Sequence, residues 1–143
     1  MLPKLDPILE ALKKRPEVVA VLLFGSHARG RARADSDVDV GVVFEPEWFQ
    51  RLSRPEAAKV VLQTIEECGR AARSIALDVV VLNAAHPLAA WDATRHGRVL
   101  WSRGECTLVE FGLWVAGRYD DWRHLHGIEM RDVRRRLGLD GAA

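Results

Sequence analysis

Val18-Val19-Ala20-Val21-Leu22-Leu23-Phe24-Gly25-Ser26, followed by Asp35-Ser36-Asp37-Val38-Asp39-Val40, is the stretch that decides the fold. Its first seven residues are a continuous apolar run rich in β-branched side chains, which is how a strand covered on both faces reads. Gly25-Ser26 ends the run as a turn-and-cap pair that opens a short helix through Arg29. From Ser36 to Phe44, Val38, Val40 and Val42 alternate with Asp37, Asp39 and Gly41. That period predicts a second strand, closed by Pro46, with its acids on one face and its valines in the core.

Outward from this centre, Leu5, Ile8, Leu9 and Leu12 give the stripe of a helix from Leu5 to Lys14, broken by Pro16. Ala58, Val61, Leu62, Ile65 and Cys68 predict a second amphipathic helix. Ile75 to Leu82 reads as a third strand interrupted by one charge, Asp78. Pro87 to His96 reads as a short helix with Gly97 at its C-cap, and Arg98-Val99-Leu100-Trp101 as a short edge strand. Leu108, Phe111, Val115, Tyr119 and Trp122 share a helical stripe, continued after a break by Leu125, Val133 and Leu137, with Gly112, Gly117 and Gly127 weakening the helix. The expected fold is α/β (α+β): a small mixed β-sheet flanked by helices, with a helical C-terminus. Residues 1–103 form the expected domain, and residues 104–143 a helical extension packed on it or on a partner.

Composition narrows the class. The 143 residues are 48% hydrophobic and 29% charged, as in a globular chain. No apolar run approaches the roughly 20 residues that span a bilayer, and the N-terminus lacks the layout of a secretory signal. The two cysteines, Cys68 and Cys106, fit reduced thiols in a cytoplasmic protein better than a disulfide framework. A net charge of +1 gives no reason to expect direct nucleic-acid binding; the cluster Arg131, Arg134, Arg135 and Arg136 reads as the solvated, cationic end of a helix.

The chemistry sits where the strands meet the turn. A strand running into Gly25-Ser26 at a helix start aims backbone N–H groups at one spot, a seat for phosphate, with the Ser26 hydroxyl as a further donor. Asp37 and Asp39 on one strand face repel unless a cation lies between them, and an oxygen-only donor set suits a hard divalent ion such as Mg²⁺. Asp78 is the third candidate, because an acid inside a sheet-core stretch is costly unless it meets a cation or opens into a cleft. Three carboxylates beside a phosphate seat suggest two-metal phosphoryl-group chemistry.

Gly25-Ser26, ten intervening residues and Asp37-Val38-Asp39, with Asp78 downstream, resembles the signature of the DNA polymerase β-like nucleotidyltransferases. Within that superfamily the chain is similar to the minimal nucleotidyltransferases (MNT), especially the antitoxin branch of HEPN/MNT toxin–antitoxin pairs. Gly97-Arg98-Val99-Leu100-Trp101 resembles the close of these domains. The resemblance implies that Ser26 contacts the triphosphate, beside the room that Gly25 leaves for phosphate, and that Asp37 and Asp39 are metal ligands. It implies that Asp78 completes a site for two Mg²⁺ ions and acts as base. In the antitoxin branch ATP is the donor, and AMP goes to a tyrosine of the HEPN ribonuclease toxin, the expected partner. A homodimer or a hetero-oligomer with the toxin is compatible with the aromatic C-terminal stripe.

Blander readings compete for individual residues. A strand with one solvated face also alternates Val and Asp, and Asp78 would serve as an exposed strand-entry residue. Arg29 is either a nucleotide contact or a solvated arginine. Asp35 reads as a turn residue rather than a fourth ligand; His27 could face the site, but its place beside a turn favours plain surface exposure; and Trp91, Trp101, Trp114 and Trp122 read as packing. His124 and His126, two apart on a helix, point away from each other and are not read as metal ligands. Two rival functions remain: a small-molecule nucleotidyltransferase of the aminoglycoside-modifying kind, and a non-catalytic antitoxin that acts by binding alone.

Overall fold

The structure, a computed structural model, describes residues 4–33, 35–139 and 141. In chain order its elements are α1 (Asp6–Lys13), β1 (Val18–Phe24), α2 (Gly25–Ala28), β2 (Val38–Phe44), α3 (Pro46–Gln50), α4 (Arg54–Ala72), β3 (Leu77–Val81), α5 (Pro87–His96), β4 (Arg98–Ser102) and α6 (Glu105–Arg136). The four strands form one sheet in the order β3-β2-β1-β4. β1 runs antiparallel to β2 and β4, whereas β2 and β3 are parallel, so the sheet is mixed as expected. No described helix is long and apolar enough to cross a membrane.

Period-two geometry divides the strand side chains between two cores. On one face Val21, Leu23, Val38, Val40, Val42 and Phe44 pack with Ile8 and Leu12 of α1 and Cys68 and Ala72 of α4. On the other, Ala20, Leu22, Val43 and Leu82 pack with Ala90 and Ala93 of α5 and Phe111 and Val115 of α6. The sheet is thus sandwiched between helices, which explains why β1 is apolar at every position. Burying a side chain such as Phe111 contributes about 2–3 kcal/mol.

Several expectations need correction. The helix expected over Ala58–Cys68 begins a turn earlier, because Ser53 and Glu56 form a reciprocal capping box and Pro55 sits in the first turn. Its buried stripe is Thr64, Cys68 and Ala72, while Leu62 is 61% exposed and Ile65 41%. A small-residue face lets the helix approach the sheet. Thr64 is tolerated there because its hydroxyl donates to the Val60 carbonyl and accepts from Arg15.

The predicted break within the C-terminal helix does not occur. α6 runs continuously through Gly112, Gly117 and Gly127. Glycine costs a helix about 1 kcal/mol each. Offsetting this, Phe111 and Val115 are buried, and Tyr119 stacks on Trp91 of α5 with centroids 4.5 Å apart. Leu125 and Val133 remain exposed on the same helix, as does Leu137 at its C-cap.

Pro46, read only as the end of a strand, also starts α3, whose first turn is capped by the Glu45 carboxylate accepting from the Glu47 and Trp48 amides. The second strand itself begins at Val38 rather than Ser36, and its valine–polar alternation gives way to burial on both faces from Gly41 onward. Gly41 leaves room for the buried Leu82 side chain: an added Cβ would meet its Cδ1 at 2.8 Å, so Leu82 would have to shift.

Candidate active site

The antiparallel β1–β2 pairing sets Phe24 opposite Asp39, and the parallel β2–β3 pairing sets Asp39 opposite Asp78. Asp39 lies between core residues Val38 and Val40, and Asp78 between Leu77 and Val79, whose side chains join the α1–α4 core. Alternation therefore sends both carboxylates to the other sheet face, side by side at one end of the sheet. The C-terminal end of β1 and the N-terminal ends of β2 and β3 meet there. Asp78 is exposed at this rim and Asp39 half-buried.

Gly25 follows Phe24 directly and adopts φ +69°, in the left-handed region open to glycine. A Cβ built on it would lie 2.1 Å from Asp39 Oδ2. The glycine read from sequence as room for phosphate is thus, in the folded chain, first of all room for the Asp39 carboxylate. Ser26 is half-buried in the four-residue α2 and does not cap it; the N-cap position is Phe24, without a side-chain cap. A helix this short adds little macrodipole, so any anion held here relies on local backbone and side-chain donors.

Asp37 departs from the sequence reading in one respect: it precedes β2 instead of lying within it, and it is exposed. Its neighbours are nevertheless fixed. The Val38 amide donates to the Ala76 carbonyl (2.9 Å), ahead of β3, and His27 Nε2 donates to the Ser36 carbonyl (3.2 Å). Asp37 is close enough to Asp39 to act on it. Burial, then the charges of Asp78 and Asp37, raise the Asp39 carboxyl above its ordinary value, against the opposing pull of His27. The three acids predicted from sequence therefore share one electrostatic environment.

Among the described residues no three His, Cys, Asp or Glu side chains are drawn together as a metal-holding group. What unites the acids is strand register and field. Their donor chemistry fits a hard divalent cation: oxygen only, like-charged, at a rim open to water, with one member resisting ionisation.

Sequence reasoning missed two residues here. His27, expected at the surface, is half-buried against the link into β2 and bears on Asp39. Asp92 of α5 forms an ion pair with Arg29, so Arg29 is neither simply solvated nor committed to a ligand. Asp92 lies on a different element, and no local pattern signals that pairing. The tryptophans do pack, Trp91 on Tyr119 and Trp122 edge-on to His86 and stacked with His126.

The chain is a member of the family described as Polymerase beta, nucleotidyltransferase, matching it over residues 6–105. Among individual proteins, it is 34% identical over 95 residues to the protein adenylyltransferase MntA of Aphanizomenon flos-aquae. That match covers 65% of this chain and 63% of the relative, so the chain spans less than two thirds of the relative's length. In fold it is similar to a chain of a toxin–antitoxin crystal structure with AMP-PNP, at TM-score 0.66 and 19% identity over 92% of this chain and 98% of that one. It is also similar to a chain of the tri-AMPylated Shewanella oneidensis HEPN toxin complex with MNT antitoxin, at TM-score 0.60 and 18% identity over 90% and 93%.

Proposed function

We propose that this chain is a Mg²⁺-dependent protein adenylyltransferase that acts as an antitoxin, transferring AMP from ATP to a tyrosine of a HEPN ribonuclease toxin. One observation carries the reading: strand register sets Asp39 beside Asp78, and Gly25 makes room for the Asp39 carboxylate at the same rim. Family membership supports nucleotidyl transfer, and the adenylyltransferase relative supports AMP and a protein acceptor.

In this reading Asp37, Asp39 and Asp78 would hold two divalent ions, which would neutralise triphosphate charge and ease ionisation of the acceptor hydroxyl. Gly25 and Ser26 seat the phosphates, and Arg29, released from Asp92, is available to the nucleotide. The acceptor oxygen attacks the α-phosphorus in line. The new O–P bond forms as the bond to the bridging oxygen breaks, and pyrophosphate leaves with that electron pair. The acceptor's proton passes to Asp78, which the fold leaves open to solvent. Residues 1–103 are the catalytic unit, and residues 104–143 supply the helical surface that meets the toxin.

The test is incubation of the protein with α-labelled ATP, Mg²⁺ and the cognate toxin, with intact-mass analysis of the toxin. Label on a toxin tyrosine that disappears in Asp37→Asn supports the reading. Turnover of an aminoglycoside without protein acceptor, or neutralisation of toxin that survives Asp37→Asn with Asp39→Asn, would replace it.

A further inference from the structure

Asp37 presents a problem of precision. It lies outside the regular strand, on an exposed link, yet the proposed site needs its carboxylate beside Asp39. A side chain on a link without strand pairing is held only as well as its flanking backbone. Two long-range hydrogen bonds bracket it. After it, the Val38 amide donates to the carbonyl of Ala76, the residue that leads into β3. Before it, the Ser36 carbonyl accepts from a single side chain, His27, on α2.

The rest of the link is organised locally around that second point. The Arg31 amide donates to the Ser26 carbonyl at 2.9 Å, the Arg33 amide donates to Ser36 Oγ at 2.8 Å, and the Ser36 amide donates back to the Arg33 carbonyl at 3.1 Å. Ser36 is thereby fixed relative to Arg33, and among the described residues it is the His27 imidazole that ties it to the element carrying Gly25 and Ser26. Because the acceptor is a carbonyl, Nε2 must carry the proton, which sets the ring's role as donor.

We propose that His27 is a positioning residue of this site: its Nε2–H, given to the Ser36 carbonyl, locks the α2–β2 link so that Asp37 is presented to the cation shared with Asp39 and Asp78. The proposal rests on the functional reading above. It assigns His27 no contact with nucleotide, metal or acceptor. It does assign a direction of effect: losing the donor weakens cation binding through Asp37 while leaving the strand-borne Asp39 and Asp78 in place. Groups that orient metal ligands in this way change metal affinity by about 10–100-fold when removed.

Near-isosteric variants separate the hydrogen bond from the bulk of the ring. His27→Gln keeps an N–H donor at about the reach of Nε2, and His27→Met has similar length and no donor. Mn²⁺ binding to the full chain, measured by electron paramagnetic resonance of free Mn²⁺ in the presence of a non-hydrolysable ATP analogue, reads the effect without catalysis. The expected result is binding weakened about tenfold in His27→Met and within about threefold of wild type in His27→Gln, at equal thermal stability. Equal Mn²⁺ affinity in the Met variant and wild type overturns the proposal, as does equal weakening in both variants. If the wild-type chain itself binds no Mn²⁺ with the analogue, the functional reading fails first and the positioning role goes with it.

Discussion

The two ends of the central sheet place polar side chains against the same apolar framework and treat them oppositely. At one end Asn83, 5% exposed, accepts the Phe44 amide with Oδ1 (2.8 Å) and donates from Nδ2 to the Phe44 carbonyl (2.9 Å). Its polarity is satisfied within the chain, and β2 is sealed there. At the other end Asp39 is half-buried among like charges and pushed above its ordinary pKa by burial, Asp78 and Asp37. A buried polar group kept for structure closes its hydrogen bonds internally. One kept for chemistry is left wanting something from outside.

Substitutions at each end should therefore separate activity from stability. Asp39→Asn is expected to lower the proposed AMP transfer by roughly 10³-fold, ~4 kcal/mol of barrier, by removing a central charge of the candidate site. Its melting temperature should not fall, because a repulsion is removed at the same time. A variant that keeps wild-type transfer, or that loses activity only by unfolding, would break the contrast. Asn83→Ala should do the reverse. Orphaning the buried Phe44 amide and carbonyl is expected to cost ~2–4 kcal/mol, lowering Tm by roughly 5–12 °C in calorimetry, with kcat of the folded protein unchanged.

Gly25→Ala tests the boundary between the two behaviours. The methyl would need both a left-handed backbone and the place taken by Asp39 Oδ2, 2.1 Å away. A stability loss of about 1–2 kcal/mol is expected from the backbone alone. Asp39 must also move aside, so the substitution should reduce transfer far more than that loss of folded protein explains. Parallel measurement of Tm and initial rate decides it; a rate that merely tracks stability means that Gly25 serves the turn and not the site.

Much of this was legible in the sequence because its strongest signals are local. The continuous apolar run Val18–Phe24, the period-two valine alternation from Val38 and the lone charge at Asp78 inside an apolar stretch are each read within a few residues, and together they locate three strands and the acids at one rim. What was not legible depends on partners distant in the chain. Leu62 and Ile65 fit a helical stripe, but close packing on the sheet favoured the small-residue Thr64–Cys68–Ala72 face, with Thr64 met by Arg15 from a distant part of the chain. The continuity of α6 through three glycines depends on α5 packing that no local pattern announces. Asp92 became Arg29's partner and His27 the anchor of Ser36 only through the meeting of separate elements.

The smallest expected effect is also the one that isolates Asp39's electrostatics. Its carboxyl titrates above the ordinary 3.8, with burial as the main cause. Below that ordinary value folded and unfolded chains are both protonated at this position. As pH rises past it, the unfolded chain releases its proton while the folded chain still holds one. The folded state therefore binds the excess proton, and stability from this group declines with rising pH until the folded carboxyl has ionised as well. Asp39→Asn has no proton to release and escapes the decline. The difference in urea midpoint between Asp39→Asn and wild type should thus widen in the variant's favour as pH climbs from the acid range toward neutrality, then level off. Removing Asp78's charge by Asp78→Asn should shrink that difference, since one of the charges opposing Asp39's ionisation is gone. A difference that is flat across the whole range would mean that Asp39 ionises like any surface carboxylate, and the two ends of the sheet would no longer differ in kind.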